Sequence, residues 1–160
     1  MVGQNGYRGI GRVTLGVMIL LICEAHLPLP FRATARAATS QTAGSRTVWD
    51  GVYTAEQNKR GETVSQTSCV SCHGEELAGT DLAPALQGKD FREFWAGRSA
   101  GDLFDKIRTT MPADSVGSLK ANQAADLVAY IFKLNDFPAG QTELGTELSA
   151  LNEIRIRAQR

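Results

Sequence analysis

Apolar residues recur with a helical period in several places along this chain. The clearest is near its C-terminal third, where Leu127, Tyr130, Ile131 and Leu134 fall at i, i+3, i+4 and i+7. That spacing lines one face of a helix and predicts one over about 122–134. "AGDLFDKIRTT" gives a second helix, with Leu103, Phe104 and Ile107 on one face. Pro112 ends it, because the residue before a proline is pushed out of the helical region. A third helix is expected from Ala55 to about Thr67. Thr54 and Gln57 there have the T-x-x-Q spacing of a capping box. The apolar face of this helix is thin, and Gly61 sits in its middle. A mid-helix glycine costs about 1 kcal/mol against alanine, so Gly61 is expected where another backbone comes close. A short helix fits "DFREFWAG", and residues 74–90 read as an irregular loop punctuated by Gly and Pro. The pattern contains no convincing strand and no internal repeat.

The two ends read differently. Arg8 and Arg12 precede an apolar run of 11 residues, "VTLGVMILLIC". A membrane-spanning helix needs roughly 20 apolar residues, so the run fits the core of an export signal. Ala35-Arg36-Ala37 is a small-x-small cleavage pattern, and residues 1–37 are expected to be a signal removed after Ala37. The alternative is an uncleaved, tilted anchor, the one case in which a membrane would be a partner. Residues 38–47, "ATSQTAGSRT", are small and polar and read as a flexible leader. Structure is expected from "VWDGVYT", and a domain over 48–137. In the tail, 138–160, Leu148, Leu151 and Ile154 recur every three residues. They would form a short helix packed on the domain, or a docking segment for a partner.

Composition adds little until the signal is set aside. The 160 residues carry 17 basic and 17 acidic side chains, and nothing resembles the basic footprint of a nucleic-acid binder. Residues 1–37 hold four Arg and one Glu, so the remainder carries 13 basic against 16 acidic side chains. Removing them also leaves just two cysteines, Cys69 and Cys72, one histidine, His73, and one methionine, Met111.

Those residues carry the chemistry. "CVSCH" has several readings. A structural zinc site needs four ligands, usually Cys or His, and the mature chain offers three. A thioredoxin-like redox pair needs a βαβ setting, and none is visible. A disulfide between Cys69 and Cys72 would close too short a loop to stabilise much. The remaining reading uses all three residues. C-x-x-C-H is the attachment motif for c-type haem: two thiols add across the two porphyrin vinyl groups, and His73 reaches the iron. The export signal agrees, since this attachment follows translocation. Met111, in "TTMPAD", stands in a loop held extended by Pro112 and is the candidate sixth ligand, a soft thioether that raises the potential; the bland alternative is a core-filling side chain. Trp95 and Arg98 are candidates to hydrogen-bond the haem propionates, against ordinary packing for Trp95 and a solvated charge for Arg98.

The order Gly61, "CVSCH", "APALQG", "TTMP" and a last helix with Leu127 and Tyr130 resembles the class I c-type cytochromes over about residues 48–137. The resemblance implies an all-α cytochrome c fold of three to five helices around one covalent haem c. It implies that Gly61 packs against Tyr130 where the first and last helices cross. It also implies that the Pro84 carbonyl accepts a hydrogen bond from His73. One position departs from the family: where an aromatic often precedes the first cysteine by four residues, this chain has Ser65, and Val64 or Trp49 would have to fill the space. "VWDGVYT" and "FPAG" look like small cytochromes found with PQQ-dependent dehydrogenases.

The function implied is electron transfer rather than catalysis: an exported, periplasmic carrier cycling Fe(III)/Fe(II) with His73 and Met111 as axial ligands. Leu82, Leu86, Leu103, Phe104, Ile107 and Leu127 are expected to bury the ring. Partners would be redox proteins, with a dehydrogenase as donor and an oxidase or cytochrome as acceptor. Two rivals stand beside it. One is a five-coordinate haem enzyme or gas sensor, against which stands the lack of a distal His for acid–base work. The other is a haem subunit whose tail docks permanently on a dehydrogenase or oxidase.

Overall fold

The computed structural model describes residues 46–160. The expected signal, its cleavage site and most of the leader lie outside those residues. Among the described residues there are six α-helices: α1 (Ala55–Ser68), α2 (Val70–His73), α3 (Gly88–Trp95), α4 (Ala100–Thr110), α5 (Ala121–Leu134) and α6 (Leu148–Asn152). The all-α expectation holds: α1–α5 are within the three to five helices expected of the domain, and α6 is the short helix expected in the tail. α2 is a single turn formed by the haem motif itself. No helix among the described residues is long and apolar enough to cross a membrane.

Two short strands correct the reading of the chain as strand-free. β1 (Arg46–Thr47) pairs in parallel with β2 (Ile154–Arg155), with Arg46 opposite Ile154. Two residues per strand are too few to show an alternating pattern, so the sequence carries no strand signal here. β1 takes Arg46 and Thr47, the last two residues of the stretch read as leader.

α1 and α5 form the frame. The Thr54 hydroxyl caps α1 by accepting from the Gln57 amide at 3.1 Å. The reciprocal half of the expected capping box does not form. The Gln57 side chain is buried and grips the tail instead, donating to Leu144 O at 2.9 Å and accepting from Leu144 N at 2.8 Å. Gly61 meets α5 at closest approach: a Cβ there would lie 2.8 Å from Tyr130 Cβ and 2.6 Å from the Asp126 carbonyl carbon. The implied Gly61–Tyr130 contact is thus present. Arg60 reinforces the same crossing with two bonds to Asp126, Nε to Oδ2 at 3.1 Å and Nη2 to Oδ1 at 3.0 Å, and a third to Glu143 at 2.9 Å.

The tail packs on the domain. Leu144, Leu151, Ile154 and Ile156 are all buried. Ser99 donates to Asn152 at 2.9 Å, tying the start of α4 to α6. Trp49 stacks edge-on against Phe137, ring centres 4.9 Å apart, and donates to Arg157 O. Trp49 therefore belongs to the tail side and does not fill the space at Ser65, which is buried and donates to Glu62 O at 2.8 Å. Val64 remains, partly buried against the core.

Candidate functional site

A cleft of about 740 Å³ opens between α2, the loop after it, α3, α4 and α5. That volume is within the roughly 300–1,000 Å³ typical of cofactor and small-molecule sites. Both cysteines, His73, Pro84, Trp95 and Met111 line it. Residues far apart in the chain therefore converge on one cavity, and the local reasons can be traced.

α1 ends at Ser68, and α2 begins one residue later. The amides of Cys72 and His73 both bond back to Cys69 O, at 3.1 and 2.9 Å. This tight turn brings both thiols and the imidazole to one wall. Cys69 is half-buried, and burial with the neighbouring Cys72 pushes its thiol up to about 11, so it is a neutral thiol at pH 7. His73 is 8% exposed. Its Nδ1 lies 2.7 Å from Pro84 O. A carbonyl oxygen only accepts, so Nδ1 carries the proton and the tautomer is fixed. In the neutral imidazole Nε2 then holds the free lone pair and can bind a metal.

The loop that supplies Pro84 is held at several points. Leu86 N donates to Leu77 O at 2.8 Å, and Thr80 N to Ala83 O at 2.9 Å. Gly79 has φ +91, and a Cβ there would lie 2.7 Å from Ala85 N. Only a residue without a side chain lets the loop double back so closely. Glu76 and Leu77 also adopt positive φ, 50 and 56. Left-handed backbone costs an ordinary residue roughly 1–2 kcal/mol, while fully burying a leucine returns about 1.5–3 kcal/mol. Leu77, at 0% exposure, offsets the strain of its own turn.

Met111 arrives from the other side. It caps α4 in an extended conformation, φ −124 and ψ 151, with its amide bonded to Ile107 O at 3.1 Å. Pro112 stops the helix there, as expected. Leu103, Ile107 and Leu127 are buried and line the cleft, as do the partly buried Leu86 and the exposed Leu82. Phe104 departs from expectation: it is buried but absent from the cleft wall. Helical geometry puts residues 103 and 107 on the cleft side and turns 104 away. Phe91, Leu119 and Ile131 also line the cleft and were not among the residues expected to bury the ring.

Arg98 is not among the residues that line the cleft. Its guanidinium lies over the rings of Phe94 and Trp95, 4.8 and 5.4 Å from their centres, a cation–π arrangement. The basic residue that does reach the cleft wall is Lys106, on α4. Its spacing from Leu103, i+3, would have placed it on that face.

The cleft suits a haem and not the rival sites. No group of three or more His, Cys, Asp or Glu side chains among the described residues converges as a metal-binding set. No βαβ unit surrounds the CxxC pair among them either, since the two strands are two residues each and sit at the chain ends of the fold. What the site does offer is a nitrogen donor on one wall, a thioether on another and two thiols at the edge of an apolar slot.

The family comparison points the same way. Residues 56–131 match the family model for cytochrome c oxidase, cbb3-type, subunit III. No curated protein matches. The crystal structure of the sulfane dehydrogenase SoxCD from Paracoccus pantotrophus resembles this chain at 17% identity and a TM-score of 0.46, over 68% of this chain. This chain spans 61% of that chain's length. The family match runs from the first turn of α1 into α5 and encloses "CVSCH", the Pro84 loop and Met111, and so supports a c-type cytochrome domain with haem-based electron transfer over those residues.

Proposed function

We propose that this protein is an exported, periplasmic one-electron carrier with a single haem c. Cys69 and Cys72 would hold the haem by thioether bonds, and His73 and Met111 would be its axial ligands. A haem so held supplies Fe(III)/Fe(II) chemistry with no open position for substrate, which makes the protein a carrier rather than an enzyme.

The observation that carries this reading is the convergence of His73 and Met111 on one apolar cleft, with the His73 tautomer fixed by Pro84 at 2.7 Å. Each side chain then has a stated task. Pro84 orients the imidazole and raises its basicity. Leu103, Ile107 and Leu127 exclude water, which disfavours the higher charge state. Trp95 and Lys106, both on the cleft wall, would meet the propionates. Leu82 and Phe94, 79% and 65% exposed, stand at the cleft. They offer a small apolar surface of the kind that brief redox encounters use. A donor dehydrogenase and an acceptor oxidase or cytochrome are the partner classes this supports. The apolar run at residues 13–23 supports export.

The test is a set of absorption spectra of the matured protein: oxidised, reduced, and reduced under carbon monoxide. A c-type reduced spectrum unchanged by carbon monoxide is expected. A carbon monoxide shift would mean an open iron site and would favour the five-coordinate enzyme or sensor. The absence of a haem spectrum would end the proposal.

A further inference from the structure

We propose that Asn135, at the C-terminal end of α5, is a positioning residue for the proximal histidine. The inference rests on His73 being an iron ligand, and goes beyond it by naming the group that holds its partner loop in place.

Asn135 follows the last residue of α5 and is fully buried. Its side-chain amide donates twice. One bond, 2.8 Å to Ile131 O, closes the end of α5; the other, 3.0 Å to Leu86 O, crosses 49 positions of sequence to the cleft loop. Leu86 stands two residues after Pro84, and Pro84 O accepts the hydrogen bond from His73 Nδ1–H. Asn135 thereby ties the rigid α1/α5 frame to the loop that sets the imidazole's orientation and basicity.

A second observation separates this from simple capping. The Asn135 side-chain oxygen is buried without a hydrogen-bond partner. An orphaned buried acceptor is destabilising, so a leucine of similar volume would serve packing without that cost. What leucine cannot supply is the donor to Leu86 O. Loosening the loop weakens the Pro84 bond, makes His73 a poorer donor to ferric iron, and shifts the potential upward.

The experiment uses the matured haem protein and two variants, Asn135→Leu and Asn135→Ser. The first keeps volume, and the second leaves a small void should leucine block folding. Two readouts bear on positioning: the reduction potential, and the solvent-exchange rate of the His73 ring N–H by NMR. The expected result is a raised potential and exchange faster by about tenfold, the factor one neutral hydrogen bond is worth. A variant that melts lower while both readouts stay at parent values would show a plain helix cap and overturn the proposal. If neither variant matures, the parent decides: an Asn135 amide that exchanges as freely as an exposed one overturns it, and one protected together with the His73 N–H supports it. A parent whose spectrum shows no histidine ligation would overturn the axial assignment and this inference together, a result distinguishable from the failure of Asn135 alone.

Discussion

Gly61→Ala sets two physical effects against each other, and the structure decides the sign. On an exposed helix the change stabilises by about 1 kcal/mol, since alanine is the better helix former. At Gly61 the new methyl would lie 2.8 Å from Tyr130 Cβ and 2.6 Å from the Asp126 carbonyl carbon, and closer still to that carbonyl oxygen. Real Cβ atoms do not sit at such distances from backbone. The obstruction is α5 itself, not the free end of a side chain, so relief requires the two helices to part. Overpacking of this kind costs typically about 1–3 kcal/mol and sometimes more. Separation would also stretch the paired bonds from Arg60 to Asp126, which span the same crossing. The clash therefore outweighs the propensity gain, and a net loss of about 2 kcal/mol is expected. For a domain of this size each kcal/mol moves Tm by roughly 4 °C, so the expected fall is about 8 °C. Circular dichroism melts of haem-loaded parent and variant, matched in haem content, read it directly. A variant as stable as the parent would refute the close packing of α1 on α5.

Four further outcomes follow from the same geometry. Met111→Ala should lower the reduction potential and let carbon monoxide bind the reduced protein, because the thioether favours ferrous iron; an unchanged potential would remove Met111 as ligand. Cys72→Ser should leave haem attached through one bond at most, seen as loss of haem-staining intensity after denaturing electrophoresis. Truncation after Gly140 exposes the sites of Leu144, Leu151, Ile154 and Ile156, all buried. At roughly 1.5–3 kcal/mol each, the loss rivals the whole stability of a typical domain, so the truncated protein should fail to accumulate; one that matures with full haem would restore the tail as a docking segment. Tyr53 donates to Phe137 O at 2.7 Å, and burial pushes its hydroxyl up to about 12. Its folded value is raised, so its contribution is intact below pH 10 and lost between about pH 10 and 12. Tyr53→Phe should flatten that alkaline limb in urea titrations, at a cost near neutral pH of about 1 kcal/mol.

How legible all this was in the sequence depends on the range of the interaction concerned. α1, α4 and α5 were readable because capping residues, Pro112 and helical spacing are local signals; each begins and ends within about a residue of expectation. "CVSCH" was readable because three rare side chains stand together. Gln57 shows the limit. Its spacing from Thr54 announced a capping box, but the side chain bonds a segment 87 positions away. Asn135 and Lys106 were missed for the same reason, since a single Asn after a helix reads as a cap. The stack of Arg98 on two aromatic rings had no mark in the sequence that separated it from a solvated charge. β1 and β2 exist through pairing across more than 100 positions, with nothing local to mark them.

The two proposed axial ligands are held by different means, and this bears on which one yields first. His73 is buried, belongs to a helical turn, and is fixed through Pro84 to a loop with bonds to Leu77, Ala83 and Asn135. Met111 has a single backbone tie, its amide to Ile107 O, before the chain enters the exposed stretch 113–118. Opening that stretch breaks few bonds and uncovers little apolar surface, which puts it at the low end of local stability. Loss of the thioether therefore requires only local motion, while loss of the imidazole requires the loop to part from α5. Heat, alkali or a competing ligand should thus displace Met111 well before the domain unfolds, leaving a histidine-held iron in an otherwise native fold.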